Sequence, residues 1–595
     1  MAGRDDALER PAGTPAAAAR FGSDVVAETL RALGLPYIAL NPGASFRGLH
    51  DSLVNHLGNR DPQLLLCLHE EHAVAIAHGY AKVTCRPLAV AVHSNVGLFH
   101  ATMAIFNAWC DRMPVVILGA TGPVDAAKRR PWIDWIHTAR DQGAIVRPYV
   151  KWDDQPASPA AARESLLRAA WHAQTAPRGP VYVNLDAAMQ EAPLAAPLPP
   201  VDAARYLPTA APDPAADAVR AAATLLRAAK RPLLLIGRVS RDEAAWAARV
   251  ALAEALGASV ATDLKVGAAF PTDHPLHVAV PAVVTTAELA RAIADADAIL
   301  SLDWVDLAGT LKTACGGEPS AKVVHVSLDH VVHNGWSMDH QGHPPVDVMI
   351  ATEPDAAVPA LLAALGPERA TARPSPPVSA FVPAPLADGR IATDDLAVAL
   401  RAAVGPRRVS LVHLPLSWNG ACWPFLHPLD YLGSDGGGGI GGGPGIAVGA
   451  ALALRGSGVL PIAVCGDGDF LMGATALWTA VHYRIPLLVV VANNRSFYND
   501  EVHQERVAKM RGRPVENKWI GQRIDEPAVD LAGIARAQGA AGFGPVERRD
   551  DLGAAFAAAI KAVSEGGVAV IDVRVEPGYT PAMAAVAAPA RGVEG

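Results

Sequence analysis

Cysteine is scarce and scattered: Cys67, Cys85, Cys110, Cys315, Cys422 and Cys465 are the only six in 595 residues, and no two form a CxxC pair. That spacing excludes a disulfide framework and offers no zinc or redox motif, so the six are expected to be reduced core residues. No block of Lys or Arg stands out, and a net charge of −8 is mild for this length. Nucleic acid and an anionic membrane surface are therefore poor candidates for the main partner. Long hydrophobic runs are missing too, the longest, near Ile485–Ala492, being far short of a bilayer span. The opening residues, MAGRDDALERPAGTPAAAARF, carry acids and lack the apolar h-region of a signal peptide. These absences lead to the expectation of a cytoplasmic protein acting on a small molecule.

What is present is apolar material in quantity: 51% of residues are hydrophobic and 18% charged. A chain this long exceeds one hydrophobic core, and three units of ordinary size are expected. Short β-branched runs (LPYIAL, PLAVAVH, MPVVILGA, GPVYVNL) alternate with Ala-rich helical stretches in the first part of the chain. The same alternation returns with RPLLLIG, AILSL and KVVHVSL, and again with RRVSLVH, LPIAVCG, PLLVVVAN and VAVIDVRV. Such alternation predicts parallel sheets wrapped by helices. Two Pro-rich stretches, EAPLAAPLPPVDAARYLPTAAPDP and ARPSPPVSAFVPAPLADG, read as linkers. The fold class is α/β with three open parallel domains, placed at residues 20–190, 212–366 and 388–582.

The densest chemistry lies in GDGDFLMGATALWTAVHYRIPLLVVVANNRSFYN. One apolar strand ends in Gly466-Asp467-Gly468 and runs into a helix; a second ends in Asn493-Asn494. Ligands of open α/β sheets bind beyond the carboxyl ends of strands, and helix N-termini favour anions. Two neighbouring tips offering a carboxylate and an amide oxygen suit Mg²⁺, which takes few protein oxygens and completes its shell with phosphates and water. Taken alone, GDG reads equally as a tight turn and NN as a polar strand end. The pair at this spacing resembles the cofactor motif of thiamine-diphosphate enzymes. That resemblance implies that Asp467, Asn494 and the Ser496 carbonyl hold Mg²⁺ against the diphosphate, with Asp469 beside it.

Upstream, SDGGGGIGGGPGIAVGAALAL interrupts its glycines with one bulky residue. By the resemblance, Ile440 is the wedge between the cofactor's two rings, and the Gly438 carbonyl meets the aminopyrimidine; glycine also admits close backbone approach. In LHEEHAVAIAHGYA, Glu71 reads as a first-turn helix acid favoured by the dipole. Glu70 stands where the family has its catalytic glutamate, before Gly79-Tyr80-Ala81. A carboxyl at the pyrimidine N1′ favours the imino tautomer, whose exocyclic nitrogen takes the thiazolium C2 proton.

Further segments resemble benzoylformate decarboxylases in particular: NPG at Asn41, HSNVG at His93, FNAW at Phe106, VKW at Val150, FPTDHP at Phe270 and ALWTA at Ala476. By motif, His93 and His274 become the proton-handling histidines. The chain departs from that pattern after NPG, where Ala44, Ser45 and Phe46 follow and a carboxylate-binding hydroxyl is missing or displaced. The charged segment after Asn494 resembles parts of acetohydroxyacid synthases and reads as a lid. In KRRPWIDWIHTARDQ, Trp132, Trp135 and His137 fit a substrate tunnel or an amphipathic surface helix equally. The resemblance thus implies a thiamine-diphosphate- and Mg²⁺-dependent 2-oxo acid decarboxylase, or alternatively a carboligase. Family members assemble as homodimers or homotetramers with active sites between subunits.

Overall fold

Each of the three predicted alternations builds one parallel sheet. The computed structural model describes residues 8–13, 15, 18–206, 211–331, 340–366, 381–384, 386, 388–579 and 583. The first sheet holds β1 (Tyr37–Leu40), β2 (Gln63–Leu66), β3 (Ala89–Ala91), β4 (Val116–Thr121), β5 (Asp153–Asp154) and β6 (Val181–Asp186) in the order β2-β1-β3-β4-β6-β5. The second holds β7 (Pro232–Ile236), β8 (Ser259–Ala261), β9 (Ala298–Leu302), β10 (Lys322–Val326) and β11 (Val348–Ile350), ordered β11-β10-β9-β7-β8. The third holds β12 (Val409–His413), β13 (Leu460–Gly466), β14 (Leu487–Asn493), β15 (Ala541–Val546) and β16 (Val568–Arg574), ordered β12-β13-β14-β16-β15. Helices cover both faces, which is why these strands are apolar throughout rather than alternating. Of the two Pro-rich stretches, residues 207–210 of the first and most of the second lie outside the described residues.

The first and third units share one core, in which Val74, Ile76 and Ala77 of helix Glu70–Thr84 meet Ala447, Val448 and Ala451 of helix Gly443–Leu454. The two backbones touch. A Cβ on Gly79 would overlap the Ile446 carbonyl oxygen, and one on Gly449 the Ile76 carbonyl oxygen. The glycine of the GYA segment is thus required by packing. Gly449→Ala gains helix propensity but must push two packed helices apart, so it is expected to cost about 1–3 kcal/mol and lower the melting temperature. An unchanged melting temperature would mean that this contact yields freely.

The ALWTA segment has a similar reason. Thr479 donates to the Leu66 carbonyl and Tyr483 accepts, through its hydroxyl oxygen, from the Leu66 amide, each at 2.8 Å. Edge strand β2 is thereby covered by the third unit instead of being left open. Cys67, Cys422 and Cys465 are buried, the other three cysteines are half-buried, and all six are free thiols. Among the described residues no helix is long and apolar enough to cross a membrane.

Candidate functional site

In-register pairing of β13 with β14 sets Gly466 opposite Ala492, so Asp467 and Asn493-Asn494 emerge side by side at the carboxyl ends of adjacent strands. The two asparagines divide the work. Asn493 is tied into the sheet, its Nδ2 donating to Asp572 (2.8 Å) and its Oδ1 accepting from the Arg495 amide (3.1 Å). Asn494 Oδ1 accepts the Ser496 amide, at 2.9 Å, within a turn that puts Arg495 at φ +60°. Asp467 begins helix Asp467–Gly473, and its buried Oδ2 has no hydrogen-bond partner among the described residues. Burial raises this carboxyl to about 6, against the pull of backbone amides of Asp467, Gly468, Ser496 and Arg495. A buried, unpartnered carboxylate oxygen beside an amide oxygen is a donor set that a hard cation completes. Gly466 fits an approaching diphosphate: a Cβ there would meet nothing, at φ −71° it needs no glycine freedom, and so the chain itself gives no reason for glycine. Gly468 is different, since a Cβ would press on the Phe497 ring.

The glycine loop between β12 and helix Gly443–Leu454 is anchored along its length. Lys82 donates to the Ser434 carbonyl at 2.8 Å. Gly438 has φ +71° and open space around it, while Ile440 stands exposed. Asp469 turns inward: its Oδ1 accepts the amides of Gly441 (2.6 Å) and Gly443 (3.3 Å), and its Oδ2 lies 3.0 Å from His413 Nε2.

The second half of the site sits beyond the carboxyl ends of β2, β1, β3 and β4. Glu70 opens its helix after β2 and is 5% exposed; its Oε2 pairs with His100 Nδ1 at 3.0 Å. His93 follows β3. The NPG segment after β1 exists to admit it, because a Cβ on Gly43 would overlap the His93 ring. Ser45 Oγ accepts the Ser94 amide (3.2 Å) and pairs with His93 Nδ1 at 2.8 Å. With Ser45 as the donor of that pair, neutral His93 carries its own proton on Nε2. The hydroxyl that follows NPG is thus displaced by one residue and serves the histidine. Burial lowers the His93 pKa, His137 lowers it further, and Glu70 opposes both.

Beside His93 lies a small cavity lined by Ala44, Ser45, Arg130, Ile133 and His137. The His137 ring is 4.7 Å from that of His93, and its Nδ1 donates to the Ile133 carbonyl at 2.8 Å. Trp132 and Trp135 are 69% and 78% exposed, so of the three residues left open by the sequence only His137 faces this cavity. His274 lies elsewhere. It packs edge-on against Phe270 and stands 3.5 Å from Glu254 in the central unit, and among the described residues no contact joins it to the Glu70 and His93 cluster. Neither His100 nor His413 was singled out in the sequence. His413 had a signal, since it ends strand β12 as a polar residue after an apolar run; His100 sits mid-helix and carried none.

His137→Gln removes one of the two influences that depress His93, so the His93 pKa rises. The acid limb of a kcat/KM profile is then expected to move to higher pH. An unmoved limb would show that another group sets it.

With this geometry in hand, comparison with known proteins gives a consistent match. Family models match residues 20–145 (thiamine pyrophosphate enzyme, N-terminal TPP binding domain), 219–354 (central domain) and 416–573 (C-terminal TPP binding domain). The chain is 27% identical over 537 residues to benzoylformate decarboxylase of Pseudomonas aeruginosa, covering 89% of this chain and 94% of that one. It is 24% identical over 496 residues to a probable acetolactate synthase large subunit of Methanocaldococcus jannaschii, covering 80% of each. Benzoylformate decarboxylase from Polynucleobacter necessarius shares the fold, with a TM-score of 0.79 at 23% identity over 95% of this chain and all of that one.

Proposed function

The chain belongs to the thiamine pyrophosphate enzyme family, and from that premise we propose that it is a Mg²⁺-dependent, non-oxidative 2-oxo acid decarboxylase resembling benzoylformate decarboxylase, releasing CO₂ and an aldehyde. The observation that carries the reading is the Ser45–His93 pair, which aims an Nε2 proton donor from the strand tips that also present Glu70. Bound thiamine diphosphate supplies a nucleophilic carbon and accepts the electrons left by CO₂. Around it, Asp467, Asn494 and the Ser496 carbonyl would hold Mg²⁺, Gly466 and Gly468 would border the diphosphate, and Ile440 and Gly438 would receive the two rings. Glu70 holds a proton at the pyrimidine, and His93 delivers one to the substrate-derived part. His274, held by Glu254 and Phe270, has no role in this reading.

Two half-sites on one chain each border exposed apolar side chains: Leu68 and Phe99 near Glu70, Ile440 and Met472 near Asp467. Solvent exposure of this kind beside a site suits burial against a second copy, and we read the working form as a homodimer or homotetramer with the site between chains. A second reading, an acetolactate-synthase-like carboligase, draws on helix Tyr498–Met510 and the segment after it. These are pinned beside the metal tip through buried Glu501, which accepts from Ser496 Oγ (2.6 Å) and Arg523 Nε (3.1 Å), and they expose Met510, Trp519 and Ile520. The test is a panel of 2-oxo acids assayed for CO₂ and product, with and without an acceptor aldehyde. Cofactor-dependent CO₂ release with free aldehyde supports the decarboxylase; a 2-hydroxy ketone as main product without added acceptor overturns it in favour of the carboligase. Silence across the panel overturns both.

A further inference from the structure

Asp469 is an unexpected residue beside a diphosphate, since a second carboxylate near Asp467 and an anionic ligand raises the local negative charge. Its surroundings explain what it does instead. Its Oδ1 accepts the amides of Gly441 and Gly443, and its buried Oδ2 faces His413 Nε2 at 3.0 Å as an ion-pair contact without hydrogen-bond alignment. His413 ends β12, and its Nδ1 pairs with Asp435 Oδ1 at 2.8 Å. All three side chains are buried. Gly443 is glycine for this reason, because a Cβ there would overlap Asp469 Oδ2 and crowd the His413 ring. The imidazole therefore bridges two carboxylates, one at the start of the glycine loop and one on helix Asp467–Gly473, and the second carboxylate grips the loop's far end.

We propose that Asp469, with His413 and Asp435, forms a buried positioning clamp that sets the glycine loop, and with it Ile440 and Gly438, in place before the cofactor binds. This rests on the reading of Ile440 and Gly438 as the surface that meets the two rings. The three are positioning residues, since none reaches the reacting atoms. Their arrangement restrains the loop's far end while Lys82 holds Ser434, and between these points Gly437 and Gly439 pack against Phe106 and Met103 of helix Ser94–Cys110 and Gly438 stays open. A metal centre at His413, Cys465 and Asp469, whose ligand atoms lie within 4.8 Å of one another, is the competing account. It is disfavoured because both imidazole nitrogens already face carboxylates.

The test uses the full chain and three readouts. In the apo protein, amide deuterium uptake of peptides covering 436–444 is expected to quicken about tenfold or more in Asp469→Ala, while β13 keeps its protection. Asp469→Asn retains an acceptor for the two glycine amides and is expected to restore most of that protection, which keeps the comparison usable if the alanine variant folds poorly. With thiamine diphosphate and Mg²⁺ added, C2 proton exchange of the bound cofactor should slow about tenfold or more in Asp469→Ala, with cofactor affinity changed only severalfold. Wild-type loop uptake in the alanine variant overturns the clamp. So does a loss of affinity of the size seen on chelating Mg²⁺, which would make Asp469 a ligand, and so does stoichiometric metal in the purified apo chain. Loop uptake needs no substrate, so the clamp stands or falls separately from the 2-oxo acid reading.

Discussion

Glu70→Gln slows exchange of the C2 proton of bound thiamine diphosphate by on the order of 10²–10⁴-fold, the usual loss on removing a positioned acid–base group, while the cofactor still binds. The amide keeps the shape and one hydrogen-bonding end but cannot hold an ionisable proton at the pyrimidine. Glu70 is 5% exposed and enclosed by Gly97, His93 and His100, so little else can take its place. Glu71 points the other way. Burial and the nearby Asp469 charge raise its carboxyl, and Glu71→Gln, which removes a charge from that repulsion, should leave C2 exchange near the wild-type rate. Exchange measured by NMR on the loaded chain decides between them. Control by Glu71 would shift the register of the first unit's site by one residue, and indifference to both would leave a binder of the cofactor with no activation of it.

Asp467→Ala and Asn494→Ala each abolish formation of the holoenzyme. The Asp467 carboxylate is buried with an unpartnered oxygen, and at neutral pH its charge is a cost that the folded apo chain bears until a cation arrives. Its pKa lies above the ordinary carboxylate value, so stability is lost as pH rises toward 6, and removing the group relieves that loss. The melting temperature of apo Asp467→Ala at pH 7.5 is therefore expected to equal or exceed that of the wild type, while calorimetry with Mg²⁺ and thiamine diphosphate detects no binding. Asn494→Ala removes a neutral ligand and should act the same way on binding. Retained affinity in either variant would move the metal site elsewhere. Asn493→Ala offers a contrast, because it breaks the bond to Asp572 within the sheet and should lower stability first.

Strand placement at the site was readable because buried parallel strands are uninterrupted β-branched runs, and a polar residue at the end of such a run has nowhere to go but the carboxyl edge. That logic placed Asp467 and Asn494 at strand ends, while Glu70 and His93 were assigned by the resemblance alone. It said less about Asp469, whose spacing set it beside the diphosphate while its carboxylate turns inward to Gly441, Gly443 and His413. His274 was assigned along a more loosely matching segment, FPTDHP, and within one chain it packs against Phe270 and Glu254 in the central unit.

The order of apolar runs, glycine clusters and polar strand ends thus determined by itself that this is a chain of three parallel α/β units with a candidate anion and cation site at the tips of the third. Period and strand-end chemistry are local properties, carried by residues a few positions apart. How the surroundings of two adjacent residues differ was decided only by the tertiary structure. Asn493 and Asn494, Glu70 and Glu71, Ala44 and Ser45 are near-equivalent in sequence, and each pair is separated by partners 30 to 80 positions away in the chain: Asp572 for Asn493, His100 for Glu70 and His93 for Ser45. The same holds for the Asp435–His413–Asp469 clamp. Side-chain direction at a strand tip is set by what the neighbouring tips and covering helices present, and that information is long-range.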